Sequence, residues 1–404
     1  MSTGTLRAPR CPRYWSLDLW RGMACLLIVV LHGSLNAPSY GVPWPPHAFL
    51  RSGALDQLAT LASYGIARFW VGVPMFFVIS GYCIAAAADA VRQRGDSPRR
   101  YFTRRLRRIY PPYWALVILT VAAGFALDVA WPGFLRSTEV SPSIPIPHPA
   151  ELSAQQWIGN LTLTESWRYQ VATDDRLYVT GHVWTLCYEE QFYLVMGLVL
   201  LVFRRRLFIG AAVVTLLVGA TGLLFDRLGL SPNGFFFDRH WYIFASGILV
   251  YWKVNYAGTA GVWVSNLALG GLAAGIALAY PASMMVSTAN QYHQSLVFGF
   301  GFALVLSVLH GRDRRLCERG FAKPLLFCGR RCYSIYLVHW LVVRICSTLL
   351  WQLGVRTDLQ TLLITVPLCV AATLLCAEPF YRLIERRFLN APIVRPACVP
   401  EQAH

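Results

Sequence analysis

Two ionisable side chains, Arg21 and His32, stand in the first hydrophobic stretch of this 404-residue chain. Eleven residues bring a helix back to within about 20° of its starting direction and advance it by about 16 Å. Both side chains therefore lie on one helical face. A neutral imidazole accepts a proton near neutral pH, as a general base must. We predict that His32 is this base. The structural alternatives are a histidine hydrogen-bonded within a bundle and an arginine that only anchors the helix.

A second polar face is formed by His182, Glu189 and Tyr193, which follow one another at spacings of seven and four residues in the fourth hydrophobic stretch. Counted from the other end of its helix, Glu189 reaches a depth similar to that of His32. A carboxylate there can orient an imidazole and stabilise the imidazolium, so we predict a catalytic His32–Glu189 pair. Tyr193 or an arginine is a candidate for stabilising an oxyanion, and His182 for binding the acceptor. The structural alternative is an ion pair between Glu189 and an arginine.

Arginines crowd the segment before the third hydrophobic stretch, among them Arg104, Arg105 and Arg108. A guanidinium group binds a phosphate through two parallel hydrogen bonds. We therefore assign Arg105 and Arg108, together with Arg21, to the site of a phosphorylated donor. The alternative is that the cluster only sets membrane topology and attracts anionic lipid.

The composition excludes several classes of protein. Charged residues make up 14% of the chain, against roughly 25% in a soluble domain, so a water-soluble enzyme is excluded. An aromatic content of 14% excludes disorder. The net charge of +16 does not indicate a nucleic-acid partner, because 56% of the residues are hydrophobic and the surface is mostly apolar. A polytopic membrane protein remains. Its eleven cysteines indicate neither a disulfide framework nor a metal site.

The hydrophobic stretches predict the fold class. A transmembrane helix needs about 20 mostly apolar residues, and ten segments meet this requirement, which predicts an all-α, polytopic helix bundle. The segments are 17–35, 66–88, 113–131, 183–203, 207–225, 236–252, 262–280, 293–309, 333–351 and 361–384.

Lysine and arginine are distributed unevenly between the connections of these helices. The two terminal segments and every second connection hold 25 of them, and the remaining connections hold six. Positive charge stays on the cytoplasmic side, so we predict a multi-pass protein of the cytoplasmic membrane with both termini inside. Residues 1–390 then form a single transmembrane domain and 391–404 a short tail. The long outer connection, about 132–182, either folds over an outer vestibule or is a plain tether.

Five further polar residues fall within or near the ends of the predicted spans. Arg68, Arg239 and Arg344 lie toward the outer side, where they can line a pocket for a hydroxyl-rich or anionic acceptor. Snorkelling toward the interface explains each of them singly. Tyr336 and His339 form an i, i+3 pair in the ninth span, with His339 about 9 Å inside the inner entrance. We assign this pair to the donor site.

Six motifs occur in a fixed order between residues 18 and 388. They are Asp18-Leu-Trp-Arg21 with His32, Gly72-Val-Pro-Met-Phe-Phe-Val-Ile-Ser-Gly81, Arg104-Arg105 with Arg108-Ile-Tyr110-Pro111, Trp184-Thr-Leu-Cys-Tyr-Glu189-Glu-Gln-Phe-Tyr193, Tyr333-Ser-Ile-Tyr336-Leu-Val-His339 and Glu385-Arg386. Their order and spacing resemble those of the membrane acyltransferase-3 family over nearly the whole chain.

This resemblance implies a membrane O-acyltransferase. The donor would be acyl-CoA, often acetyl-CoA, and the acceptor a hydroxyl of an envelope carbohydrate or of a lipid-linked or secreted small molecule, with no permanently bound cofactor. Arg21 and His32 match the family's Arg-x10-His pattern, Arg105 and Arg108 its Arg-x-x-Arg pattern linked to the donor, and Glu189 its acidic position. The sequence has no fused extracytoplasmic hydrolase-like domain, so transfer is either direct or needs a separate extracytoplasmic partner.

Two alternatives stay open at the level of sequence. Buried histidine, glutamate and arginine also suit a proton-coupled membrane carrier of a glycan or small molecule. No inverted repeat is visible, however, and the arginines have a more natural use in binding phosphate. Within the transferase hypothesis, an acyl-enzyme on Ser80, Ser334 or a tyrosine would make the reaction a two-step relay.

Overall fold

The chain folds into helices joined by short connections. The computed structural model describes residues 14–44, 46, 49, 53–136, 145–238, 240–279 and 291–389, and it contains no strand within them. The helices are α1 (Leu17–Gly33), α2 (Ala54–Ile66), α3 (Gly72–Gln93), α4 (Pro98–Ala130), α5 (Ala154–Leu161), α6 (Glu165–Arg168), α7 (Trp184–Val202), α8 (Leu207–Leu228), α9 (His240–Tyr256), α10 (Thr259–Ala279), α11 (Gln291–Leu309), α12 (Asp313–Cys317), α13 (Ala322–Arg330), α14 (Cys332–Gln352) and α15 (Asp358–Phe388, with π-helical stretches at Thr361–Thr365 and Tyr381–Glu385).

The helices confirm the predicted all-α polytopic bundle. In the described part of the chain, eight helices are long and apolar enough to cross a membrane. The first and sixth predicted spans correspond to α1 and α9, which are helices of 17 residues each. The short 3₁₀ helix Ala67–Val71 joins α2 to α3, so that the second span begins with a tighter turn. The arginine cluster is the first part of α4, which continues into the third span.

The connections rich in arginine meet at one end of the bundle, which we call the basic end. Arg204 Nη2 donates to the Asp96 carbonyl oxygen at 2.9 Å, which joins the α7–α8 and α3–α4 connections. The Trp15 backbone N–H donates to Asp313 Oδ2 at 2.6 Å, which joins the start of α1 to α12. The sequence assigned these segments to one side of the membrane, and they are neighbours in the structure.

The opposite end, which we call the distal end, is held by Asp358 at the start of α15. Its carboxylate accepts hydrogen bonds from Ser39 N at 3.1 Å, from Ser39 Oγ at 2.9 Å and from Thr60 Oγ1 at 2.8 Å. These bonds tie the α1–α2 connection to α2 and α15, which fixes the chain segment that leaves α1 just after His32.

The long connection between α4 and α7 is folded where the structure describes it, which decides against a plain tether. Arg168 and Glu165 form a buried bidentate ion pair, with N–O distances of 2.6 and 2.9 Å. The hydrogen bond with Glu165 raises the pKa of Arg168. Asn160 Nδ2 donates to the Leu177 carbonyl, and Tyr113 Oη of α4 donates to the Asn160 carbonyl. Residues 145–180 therefore form a compact cap against α4 rather than a wall of the central cavity.

Glycines bring two helix pairs into backbone contact. A Cβ added at Gly81 of α3 would lie 2.0 Å from the Phe244 carbonyl oxygen of α9, and one at Gly247 of α9 would lie 1.9 Å from the Val78 carbonyl oxygen. A Cβ at Gly22 of α1 would lie 2.0 Å from a carbonyl oxygen of α13. Small residues allow such close crossings in membrane bundles. They hold α1 and α3, which carry Arg21 and Ser80 respectively, at fixed positions in the bundle.

Replacing Gly81 with alanine is expected to destabilise the bundle by about 1–3 kcal/mol, because the new methyl group would overlap the α9 backbone. Thermal unfolding of the purified protein in detergent measures this effect. Gly271→Ala in α10 is the matched control, since a Cβ there would meet nothing within 4 Å. Equal unfolding temperatures for Gly81→Ala and wild type would contradict the close crossing of α3 and α9.

Candidate active site

A cavity of about 1380 Å³ passes through the bundle between α1, α3, α7 and α14. Its lining reaches Arg21, Arg105 and Arg108 at the basic end and Tyr40, Trp44, Tyr64 and Arg68 at the distal end. Between these ends the lining includes His32, Ser80, His182, Glu189, Tyr193, Tyr336, His339 and Trp340. Most of the polar residues that the sequence singles out therefore border one cavity.

His32 forms its hydrogen bond with His339 of α14. His32 Nδ1 lies 3.0 Å from His339 Nε2, and the two rings are stacked with an interplanar angle of 9°. His339 Nδ1 lies 2.6 Å from the Tyr336 carbonyl oxygen, which can only accept a hydrogen bond. His339 Nδ1 must therefore carry a proton.

The carbonyl of Tyr336 sets the protonation of both rings. His339 is 1% exposed, and a buried imidazolium without a carboxylate partner is costly. We therefore assign His339 as the neutral Nδ1–H tautomer, whose Nε2 accepts from His32 Nδ1–H. This assignment leaves Nε2 of His32 unprotonated on the ring that lines the cavity. A lone pair held in this way is what a general base requires.

The predicted pairing of His32 with Glu189 is wrong. Glu189 Oε1 accepts from the Ser80 hydroxyl of α3 and from Tyr193 Oη at 2.5 Å. The residue that comes level with the two histidines is His182, in the 3₁₀ turn Gly181–Val183 just before α7; its ring centroid lies 4.7 Å from that of His339. Glu189 is seven residues further along the chain, about 10 Å toward the basic end. Depth counted from the end of each helix misplaces Glu189, because the sequence contains no information on the stagger between helices.

Tyr193 lies toward the basic end of the cavity, away from the histidines. Its hydroxyl donates to Glu189, and its ring lies under the Arg105 guanidinium at 5.1 Å. Tyr193 is eleven residues beyond His182, about 16 Å further along the helix axis. Its hydroxyl hydrogen is committed to a carboxylate, so the predicted role in stabilising an oxyanion beside His32 does not fit the structure.

We expected Tyr336 and His339 to lie beside the arginines as donor-binding residues. The structure places both of them elsewhere. His339 contacts His32, and Tyr336 Oη lies 3.0 Å from the His182 carbonyl oxygen. The reason is the level at which α14 begins. Cys25 Sγ is 3.8 Å from the Cys332 carbonyl oxygen, so α14 starts beside Cys25 rather than beside Arg21. Seven residues further along each helix come His32 and His339.

Three guanidinium groups converge at the basic end of the cavity, as predicted. Arg21 Nη1 is 3.2 Å from Asp18 Oδ1, and Arg21 Nη2 is 2.8 Å from Cys83 Sγ. Arg105 Nη2 donates to the Cys83 carbonyl at 3.2 Å, and Arg108 lines the cavity beside them. This end can bind a polyanionic group through several charge-assisted hydrogen bonds.

The residues predicted to bind the acceptor separate into three groups. His182 and Arg68 line the cavity, at its centre and near its distal end respectively. Arg344 is fully buried away from the cavity lining, where Nε donates to the Leu135 carbonyl at 2.9 Å and Nη2 to the Phe134 carbonyl at 3.3 Å. The assignment of Arg344 is therefore corrected to an anchor of the chain that follows α4. Arg239 lies outside the described residues.

Trp340 is the site residue that the sequence interpretation missed. Its ring meets His32 edge to face, with centroids 4.9 Å apart, and lies 5.5 Å from the ring of His182. The signal available in the sequence was its position next to His339, on a helix already singled out. Although three histidines meet here, no group of three His, Cys, Asp or Glu among the described residues is arranged to hold a metal ion.

Comparison with known proteins gives one match. A family model described as an acyltransferase domain, Acyl_transf_3, covers residues 14–380. No curated protein and no solved structure matches the chain. The matched region includes all four helices that surround the cavity, α1, α3, α7 and α14.

Replacing Arg344 with leucine is expected to destabilise the protein by about 1–3 kcal/mol, because the buried Phe134 carbonyl loses its donor. The Leu135 carbonyl also loses Arg344 but keeps the Ile146 N–H at 2.9 Å. Arg68→Leu is the matched control, since Arg68 lines the cavity instead of anchoring buried carbonyls. Thermal unfolding in detergent measures both variants. If Arg344→Leu unfolds at the wild-type temperature, Arg344 is not a structural anchor.

Proposed function

This chain belongs to the acyltransferase-3 family, and from that premise we propose that it moves an acyl group, most simply acetyl, from cytosolic acyl-CoA to a hydroxyl group of an acceptor. The observation that carries the proposal is the 3.0 Å contact of His32 Nδ1 with His339 Nε2, from which we assign Nε2 of His32 as the unprotonated nitrogen. His32 lines a cavity that joins a cluster of arginines to the distal end. Family membership and the membrane-spanning helices make the chain a multi-pass membrane acyltransferase, which replaces the carrier hypothesis.

Acyl-CoA binds from the basic end. Its phosphates contact Arg21, Arg105 and Arg108, which supply positive charge with fork geometry. The pantetheine arm then extends along the polar wall of Ser80 and Glu189, whose groups can pair with its amides. Arg21 and His32 are about 16 Å apart along α1, a span that an extended arm can cross. This orientation agrees with the charge distribution, which places the basic end in the cytoplasm.

The acceptor enters from the distal end. Arg68, Tyr64 and Trp44 line that part of the cavity, and the Trp44 and Tyr64 rings meet edge to face with centroids 5.0 Å apart. Aromatic rings beside a guanidinium group suit a hydroxyl-rich sugar ring. This supports a carbohydrate or glycosylated molecule as the acceptor, located within the cytoplasmic membrane or on its outer side.

The chemistry is a direct transfer with His32 as general base. The acceptor oxygen attacks the thioester carbonyl while His32 Nε2 takes the hydroxyl proton. The new ester C–O bond forms, the C–S bond breaks, and the imidazolium returns the proton to the CoA thiolate. During this step His32 Nδ1–H stays bonded to His339, which keeps the ring oriented. Ser80 and Ser334 donate to Glu189 and Glu385, and neither is bonded to His32, which favours direct transfer over a serine acyl-enzyme.

Replacing His32 with alanine is expected to lower acyl transfer by a factor of about 10²–10⁴, the usual contribution of a general base. The assay uses inside-out membrane vesicles from cells that express the chain, labelled acetyl-CoA, and label recovered on non-protein acceptors. His310→Ala is the control, because His310 is a histidine outside the cavity lining. If His32→Ala transfers label at the wild-type rate, the proposed mechanism is wrong. If vesicles that contain the wild-type protein label no acceptor, the proposed function is wrong.

Replacing His339 with leucine is expected to lower kcat by at least tenfold and to leave KM for acetyl-CoA within twofold of wild type, because His339 acts on His32 and not on the donor. Arg105→Leu should show the reverse, a raised KM for acetyl-CoA. His339→Gln offers a replacement acceptor for His32 Nδ1–H and should recover part of kcat. A change in KM alone for His339→Leu would restore its assignment to the donor site.

A further inference from the structure

Two polar groups beside His32 have no hydrogen-bond partner among the described residues. These are Trp340 Nε1 and both ring nitrogens of His182, all buried at the atom level. A buried polar group left unpaired costs about 1–3 kcal/mol, and buried polar groups in native proteins are nearly all paired. Two such residues side by side, both lining the cavity, indicate a place where a ligand atom accepts or donates a hydrogen bond.

Both groups are held in place by the backbone. A Cβ at Gly181 would lie 2.6 Å from Cζ2 of Trp340, so the indole occupies space that only glycine leaves open. Tyr336 Oη anchors the His182 carbonyl at 3.0 Å. The His182 and Trp340 rings are stacked at 29°, with centroids 5.5 Å apart. The donors are therefore preorganised relative to His32, whose ring lies 4.9 Å from the indole.

The chemistry of these groups limits the kind of ligand atom that can bind them. An indole N–H is a donor only, and a neutral imidazole has one N–H. The indole N–H cannot accept a proton, so Trp340 does not compete with His32 Nε2 as a base, and the neutral His182 ring supplies one N–H donor. Neutral donors converging beside a general base are suited to an oxygen that gains negative charge during the reaction.

We propose that Trp340 Nε1–H, with the ring N–H of His182, forms the oxyanion hole of this transferase. The inference rests on the proposed function. As the acceptor oxygen attacks, the thioester carbonyl becomes a tetrahedral alkoxide, and its oxygen receives hydrogen bonds from both donors. When the C–S bond breaks, the carbonyl re-forms and the donors are released unchanged. Trp340 thus becomes a catalytic residue, and His182 acts on the acyl group rather than on the acceptor.

The test is Trp340→Phe, which keeps an aromatic ring at this position and removes the N–H together with part of the indole. Loss of one oxyanion donor lowers kcat by about 10²–10³-fold, with KM for acetyl-CoA unchanged. The control is Trp20→Phe, because Trp20 Nε1 is also buried and unpartnered in the described structure but lies outside the cavity lining. The assay is label transfer from acetyl-CoA in inside-out membrane vesicles, with the dissociation constant of acetyl-CoA as the check on folding.

Each outcome decides a different point. A Trp340→Phe protein that binds acetyl-CoA normally and transfers at less than a hundredth of the wild-type rate supports the oxyanion hole. Transfer by Trp340→Phe at more than half the wild-type rate overturns the oxyanion hole. In that case, a strong defect in His32→Ala under the same assay would show that the proposed function still holds. Should the phenylalanine variant misfold, His182→Leu against His182→Gln gives the same test, since only the glutamine keeps an N–H donor. Equal rates for these two variants would overturn the inference.

Discussion

The hydrogen bond between His32 Nδ1 and His339 Nε2, 3.0 Å long, is the contact on which this site depends. It exists because α1 and α14 run level from Cys25 and Cys332 onward, so that equal steps along each helix bring the two histidines together. The Tyr336 carbonyl completes the chain by fixing the proton on His339. In the proposed mechanism, a backbone carbonyl and an imidazole orient the base as a carboxylate does in other sites, without adding a further charge beside it.

The remaining polar groups are ordered along the cavity by charge. Guanidinium groups lie at the basic end, followed by the hydroxyl and carboxylate groups of Ser80 and Glu189. Histidine and tryptophan rings surround the centre of the cavity. Aromatic rings and the Arg68 guanidinium line the distal end. Charged side chains inside a membrane are costly and persist where they face a cavity or a partner. The two glycine crossings, at Gly81 and Gly22, hold the helices that carry this gradient in backbone contact. The contacts that pack these helices therefore also position the polar side chains that line the cavity.

The sequence was sufficient for the all-α polytopic bundle, for the shared face of Arg21 and His32, and for the convergence of the arginines at one end. Of the ten predicted spans, eight correspond to described helices that are long and apolar enough to cross a membrane. Those features depend on hydropathy, helical periodicity and charge, each of which is local. The partner of His32 was not predictable, because periodicity gives the face of a helix but neither its neighbour nor its stagger. Arg344 was misassigned for a related reason: its partners are backbone carbonyls, and these have no signature in the sequence.

In the proposed mechanism, Nε2 of His32 is free of a proton because His339 accepts from Nδ1. The direct measurement is ¹⁵N NMR of histidine-labelled protein in lipid at neutral pH, with the His32 resonances assigned by their loss in His32→Ala. We expect a neutral His32 ring with a protonated Nδ1 and an unprotonated Nε2, and loss of this single tautomer in His339→Leu. A His32 ring that is protonated at Nε2, or that keeps its tautomer without His339, would show that His339 does not set the protonation of His32.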